Sequence, residues 1–309
     1  MGNRAWDALV IGASAFDIKV KAAEWPEAGG PVHGHIRLSV GGVGRNIAEN
    51  LARLELDVAL FSAISADAFG DHLLAVTANA GVDVSQVLRT GEFRPGSYLA
   101  FLNDSGEPRW TIDDMGIMYL LSPSYIVDRR SWFRDARAVV MDANLSPLAI
   151  QAVVTLCRRY GVPLCVDPTT TLLAERVTPH LAHIWLLTPN AAEAEVLCGR
   201  PVRHADEALE AARELVARGV RTVVITLGEE GAVYATAEEY GRVPAVDVEV
   251  VDQTGVGDAL TAATVFGLLN DFPVDEAVRL GVSAAALTLT CAETVRSDLS
   301  LDSLYDRLL

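Results

Sequence analysis

The residues best placed to do chemistry lie in one short run, Val251-Asp252-Gln253-Thr254-Gly255-Val256-Gly257-Asp258-Ala259. A β-branched stretch, 246–251, leads into it and reads as a strand, and an apolar helical stretch follows. Gly255 and Gly257 allow a sharp turn, so successive N–H groups around Val256 can converge at a helix N-terminus. Such a nest holds an anion and concentrates positive potential on it. A carboxylate in that first turn, beside bound phosphate, is electrostatically awkward unless it takes a proton from an attacking hydroxyl. Asp258 is therefore a candidate general base. The blander alternative is a strand–turn–helix corner with Asp258 as a first-turn carboxylate.

Three other stretches carry weaker signals. Gly41-Gly42-Val43-Gly44-Arg45-Asn46 opens a helix over 47–54; its glycines let a ligand lie against the backbone, and Asn46 offers a donor and an acceptor to a hydroxyl. It could equally be a flexible turn that caps a helix. Thr188-Pro189-Asn190-Ala191-Ala192-Glu193 follows a buried strand, and Asn190 and Glu193 share a helix face where they could orient a hydrated Mg²⁺, or simply form a capping box. Thr226-Leu227-Gly228-Glu229-Glu230-Gly231 joins two strands and suits either a nucleotide edge or a plain hairpin turn. No G-x-x-x-x-G-K-[ST] occurs, and no G-x-G-x-x-G follows the first strand, which disfavours P-loop and dinucleotide chemistry.

These stretches need a scaffold, and the surrounding pattern supplies one. Apolar runs at 8–13, 58–62, 138–142, 163–166, 184–187 and 222–226 read as buried strands, and 46–54, 147–159 and 205–217 carry helical spacing. Their alternation predicts an α/β fold, a doubly wound and mostly parallel sheet with helices on both faces. From Asp258 onward the chain reads as helix, over 259–269 and 274–290. Two pieces break the rhythm, 31–40 and 97–112, the second with Asn103-Asp104-Ser105-Gly106 as a hairpin turn. Both interrupt the first half of a single domain spanning 1–309, so they predict an inserted antiparallel β-lid that would exclude water from a reaction. Val32, Ile36, Leu38, Tyr98, Ala100, Leu102 and Trp110 would form one apolar face of that lid. A small sheet with open edges needs cover, and a second lid would supply it, which predicts a homodimer.

Composition narrows the partners. Lys plus Arg number 25 against 41 Asp plus Glu, a net charge of −16 that repels nucleic acid and anionic membranes. A nucleotide would have to be held by local devices such as backbone N–H groups or a bound cation. Cys157, Cys165, Cys198 and Cys291 form no CxxC pair and read as free thiols. The first residues read as a strand rather than a signal peptide, and the expected compartment is the cytoplasm.

In this fixed order the four stretches resemble the ribokinase-like, PfkB-type carbohydrate kinases, whose type members are ribokinase, adenosine kinase and fructokinase. The likeness runs from Gly12 to the last helices and includes GGVGRN (41–46) and DQTGVGDA (252–259). It implies an ATP-dependent kinase with Asp258 as base and Gly255, Val256 and Gly257 as anion hole. It further implies Mg²⁺ organised by Asn190 and Glu193, and ATP bordered by Asn190, Thr226, Gly228 and Gly231. Asp17, at the end of the first strand, would bind acceptor hydroxyls with Gly41, Gly42, Gly44 and Asn46. Asp252 and Thr254 match positions where relatives bind a monovalent cation, usually potassium. Lid-mediated pairing, each partner helping to close the other's site, is also common in such relatives.

Within that family, GGVGRNIAENLARL (41–54), SYLAFLNDSGE (97–107), MDANLS (141–146) and TPNAAEAEVLCG (188–199) are most similar to bacterial pseudouridine kinases. This implies transfer to the 5′-hydroxyl of a nucleoside, with Asn144 of MDANLS among the acceptor contacts. Two departures stand out: Ala15 replaces an Asn common in those kinases, and 169–173 lacks their Lys after the Asp167-Pro168 pair. Another nucleoside or a free sugar such as ribose or fructose is the alternative acceptor. A non-catalytic ligand-binding regulator is the remoter alternative.

Overall fold

The computed structural model describes residues 5–22, 30, 31, 33–103 and 108–308 of the chain. Its strands are β1 (Trp6–Ile11), β2 (Ala15–Ala22), β3 (Gly34–Gly41), β4 (Val58–Phe61), β5 (Ala63–Ser65), β6 (Leu88–Thr90) and β7 (Ser97–Leu102). There follow β8 (Pro108–Asp114), β9 (Ala136–Asp142), β10 (Leu164–Asp167), β11 (Leu186–Leu187), β12 (Thr222–Thr226), β13 (Ala232–Ala235) and β14 (Tyr240–Val243). The main sheet has the order β14-β13-β12-β11-β10-β9-β1-β4. It is parallel from β12 to β4, and the pairs β12–β13 and β13–β14 at one edge are antiparallel.

Period-two alternation in the strands feeds two helical layers. Leu9 and Ile11 face a core completed by the helices Pro147–Tyr160, Ala191–Cys198 and Ala205–Ala217. Ala8 and Val10 face the other layer, formed by Val43–Arg53, Val256–Leu269 and Val274–Leu289. Each fully buried Leu or Ile contributes about 1.5–3 kcal/mol over its exposed state, so burial on both faces dominates stability. From β1 the chain moves outward to β4, then returns to β9 on the opposite side of β1. The crevice at the carboxyl ends of β1 and β9 is thus the reversal point where such sheets bind ligands.

The lid is a separate four-stranded sheet of order β3-β2-β7-β8. It corrects the expectation in three respects. First, β2 belongs to it, so Asp17 lies on the lid rather than at the end of the first core strand; the chain crosses from core to lid within 12–14. Second, the supposed single apolar face divides. The pairings Asp17↔Ser39 and Asp17↔Tyr98 place Tyr98, Ala100 and Leu102 on the face carrying Asp17, whereas Ile36, Leu38, Trp110 and Ile112 occupy the other face. Third, Val32 and 104–106 of the hairpin turn lie outside the described residues.

Two boundaries also shift. No strand forms over 246–251, where Val250 and Val251 are exposed and the backbone instead ties to Leu289 O through the Val251 N–H at 2.8 Å. The helices after both glycine runs begin earlier than their apolar periodicity suggested, at Val43 and Val256. Asn46 and Asp258 therefore both sit in first turns.

Candidate active site

Helix Val256–Leu269 starts from Gly255, whose φ of 82° only glycine adopts readily. A Cβ there would stand 2.0 Å from the Thr294 carbonyl oxygen, so the turn is pressed onto the C-terminal segment. A Cβ on Gly257 would meet nothing within 4 Å, so there is open space beside this turn. Helix first turns lack intrahelical acceptors for their N–H groups, as an anion cradle requires.

Asp258 is buried one residue further on. Its Oδ2 accepts a 2.7 Å hydrogen bond from Asn46 Nδ2. Asn46 is held in turn: Arg45 Nη1 donates to its Oδ1 at 2.9 Å, and Thr294 Oγ1 lies 3.2 Å from the same atom. Arg45 is nearly inaccessible and forms an ion pair with Glu49, which also binds Arg53. Burial pushes the Asp258 carboxyl up to about 7; the Asn46 hydrogen bond resists this, while Asp17 and Asp142 add to it. Burial likewise raises Asp17 to about 6, against the pull of Lys19 and Arg45. A carboxyl near neutrality is well matched to accept a hydroxyl proton.

The glycines of the 41–44 run serve close approach. A Cβ on Gly41 would stand 2.4 Å from Asp17 Oδ2, so the missing side chain is the space that the Asp17 carboxylate occupies. The start of the Val43–Arg53 helix is clamped by Asp142, whose Oδ2 accepts the Ala13 N–H at 2.6 Å and the Gly44 N–H at 2.9 Å. Oδ1 of Asp142 accepts the Asn144 N–H at 2.9 Å. Gly42 caps that helix. Asp17, Gly41, Gly42, Gly44, Asn46, Asn144 and Asp258 thus meet at the β1–β9 crevice beneath the lid.

A second group gathers along the same sheet edge. Asn190 bridges Thr226, the last residue of β12, and Gly228 and Gly231 shape the β12–β13 turn. Asn190 and Glu193 form the capping box: Asn190 Oδ1 accepts the Glu193 N–H at 2.9 Å, and Glu193 Oε2 accepts the Asn190 N–H at 3.0 Å. Glu193 is nonetheless buried, and burial raises its carboxyl. Asp167, at the end of β10, connects the two groups. Its carboxyl is pushed well up by burial and by the charges of Glu193 and Asp258. Both Glu193 oxygens already accept from Asn190, and among the described residues no group of three His, Cys, Asp or Glu side chains is placed to hold a metal ion directly, so Mg²⁺ would be reached here only through water.

Asp252 and Thr254 stand differently. Asp252 Oδ1 accepts the Thr254 N–H at 2.8 Å, and Oδ2 is ion-paired with the ammonium of Lys19 on lid strand β2. Burial works against ionisation of Asp252, but Lys19 and the Thr254 N–H outweigh it and hold the carboxyl below its ordinary value.

Sequence reasoning did not single out Lys19, Arg45, Asp142, Asp167 or Thr294. Asp142 ends a predicted strand and Asp167 directly follows one, and a carboxylate at the carboxyl end of a parallel strand is the signal that could have found them. Nothing local to Thr294 marks it, because its role arises from the approach of Gly255 and Asn46.

Comparison with known proteins identifies the family of the chain. The model of the pfkB family carbohydrate kinases matches residues 7–300. Pseudouridine kinase of Escherichia coli is 30% identical over 294 residues, covering 95% of this chain and 93% of that protein. Guanosine-inosine kinase of Exiguobacterium acetylicum is 30% identical over 274 residues, 88% of this chain and 90% of its own length. In fold, the chain is similar to Arabidopsis thaliana ribokinase complexed with ribose and ATP, at a TM-score of 0.85 and 23% identity, over 98% of this chain and 99% of that one. The chain belongs to the pfkB family of carbohydrate kinases, and is an ATP-dependent kinase of that family.

Proposed function

We propose that this kinase transfers the γ-phosphoryl group of ATP to the 5′-hydroxyl of a nucleoside, with pseudouridine as the leading acceptor. The observation that carries the reading is the buried Asp258 carboxyl, held by Asn46 in the first turn after Gly255 and near Asp17. In this reading Asp17, Asn46 and Asn144 orient the acceptor hydroxyls against the close-packed backbone of Gly41, Gly42 and Gly44. Asp258 takes the proton of the attacking hydroxyl. The Gly255, Val256 and Gly257 amides receive the charge that develops on the transferring group. Asn190, Thr226, Gly228 and Gly231 border the nucleotide. Asn190 and Glu193 would hold Mg²⁺ through water, and the ion supplies charge neutralisation for the phosphates. The lid, bearing Asp17 on its inner face, excludes water when it covers the acceptor.

The nucleoside assignment is supported by the two nucleoside kinases 30% identical to this chain. A free sugar is the second reading, favoured by one observation: Ala15, fully buried two residues before Asp17, offers no polar group to a base or ribose. A panel of pseudouridine, uridine, adenosine, ribose and fructose, assayed for ADP release and for the phosphorylated product, separates them. Highest kcat/KM on pseudouridine is expected; a preference for ribose or fructose would overturn the nucleoside assignment.

We also propose that a second copy of the chain covers the outer lid face. Ile36, Leu38, Trp110 and Ile112 are each more than half exposed there, a cluster of large apolar side chains that favours a partner.

A further inference from the structure

The resemblance to this family leads one to expect a monovalent metal ion at Asp252 and Thr254. The residues present do not suit one. Both carboxylate oxygens of Asp252 already have donors: the Thr254 N–H on Oδ1 and the Lys19 ammonium on Oδ2. Side-chain exposure is 8% for Lys19 and 15% for Asp252, so this is an interior pair rather than a surface one. A second cation in contact with the same carboxylate would sit against an ammonium, and like charges at such range in a poorly solvated site repel strongly. Ala100 lies opposite Lys19 in the lid register, is itself buried, and is small enough to leave room for the lysine stem.

We propose that the Lys19 ammonium is this enzyme's built-in monovalent cation: it supplies at Asp252 the positive charge that a bound potassium ion would otherwise supply, so turnover needs no added potassium. Asp252 lies three residues before Gly255, and its bond to the Thr254 N–H shapes the chain that enters the anion-holding turn. Neutralising Asp252 keeps a bare negative charge away from incoming phosphates. Lys19 also stands two residues from Asp17 on the same lid face, so the lysine ties the lid to the Gly255 turn. Lys19 is thus a positioning residue, acting on the phosphates through Asp252. The proposal rests on the kinase reading given above.

The test compares turnover in potassium, sodium and tetramethylammonium chloride, at one ionic strength of about 0.1 M so that screening is equal throughout. Wild-type kcat should differ by less than about twofold between the salts, because the required charge is covalently attached. Lys19→Met should lose roughly tenfold or more in tetramethylammonium and regain activity in potassium, with the change in kcat rather than in KM for the acceptor. Lys19→Arg should remain independent of the salt chosen. Strong activation of the wild type by potassium would overturn the proposal, as would a folded Lys19→Met protein that responds to no cation. A thermal arm needs no acceptor and so stands or falls separately from the nucleoside reading. Potassium should raise Tm no more than tetramethylammonium does in the wild type, and a potassium-specific rise there would sink the idea. If Lys19→Met does not fold, the wild-type salt series and Lys19→Arg decide the matter.

Discussion

Asn46 donates to Asp258 across 2.7 Å, although the two residues are separated by 212 positions in the chain. That bond joins the first turns of two helices in the same layer and fixes the carboxylate that the mechanism requires. Asp258→Asn preserves it, since the new amide oxygen can accept from Asn46 Nδ2. The variant should fold and bind nucleotide, while kcat falls by roughly 10²–10⁴-fold, the range for losing a positioned base. Single-turnover kinetics checks this, and near-normal turnover would reject Asp258 as the base.

The raised Asp258 carboxyl has two consequences with pH. It must be ionised to accept a proton, so kcat/KM should rise with pH and level off above about 7. Stability runs the other way. A carboxyl whose folded value lies above its ordinary one stabilises the fold fully below that ordinary value, and this contribution is lost as pH rises through about 7. The ligand-free protein should therefore melt at lower temperature at pH 8 than at pH 5, and Asp258→Asn should flatten that slope. A thermal-shift series across pH in both proteins is the measurement.

Gly255 and Gly257 should fail in different ways. A side chain at 255 meets the Thr294 carbonyl and an unfavourable φ, so Gly255→Ala should lower Tm, by a few kcal/mol of overpacking and backbone strain. At 257 the Cβ has room, so Gly257→Val should melt near the wild-type temperature yet lose kcat by obstructing the amides. A Gly257→Val protein with full turnover would reassign the turn as purely structural.

The split of the lid into two faces makes its own forecast. Ile36→Glu charges the outer face and should yield monomers by sedimentation, with KM for the acceptor raised because the unsupported lid closes less often. Leu102→Glu acts on the inner face, and should impair acceptor binding without changing the assembly state. A wild-type monomer at micromolar concentration would remove the dimer while leaving the kinase assignment intact.

Much of this was legible in the chain itself. Strands β1, β4, β9, β10 and β12 announce themselves as apolar runs because both sheet faces are buried, and the helices between them keep their period. The turn at Gly255 and the buried carboxylate at Asp258 were readable in the chain, because a positive φ and a helix first turn demand particular residue types. The lid was readable in outline only. Strand β2 follows a core strand after only Gly12, Ala13 and Ser14, so nothing local marks the crossing that puts Asp17 on the lid. Which lid residues share a face depends on register between strands distant in sequence, which no local period reveals. The stretch 246–251 has strand-forming residues but no neighbouring strand with which to pair, and tertiary context overrides its propensity. Lys19 was invisible as a partner of Asp252 because 233 residues separate them.

The Asp142 clamp also bears on how the protein is made. Its carboxylate grips Ala13 and Gly44, which precede it by 129 and 98 residues. A nascent chain emerging from the ribosome therefore carries an acceptor half-site that stays unclasped until β9 is exposed, and the free edge of β1 is open to wrong pairings throughout that interval. Asp258 and the Thr294 segment that steadies it arrive only with the final helices. A chain that stops short of the helix Val256–Leu269 would lack both the Gly255 turn and the Asp258 carboxylate that Asn46 holds.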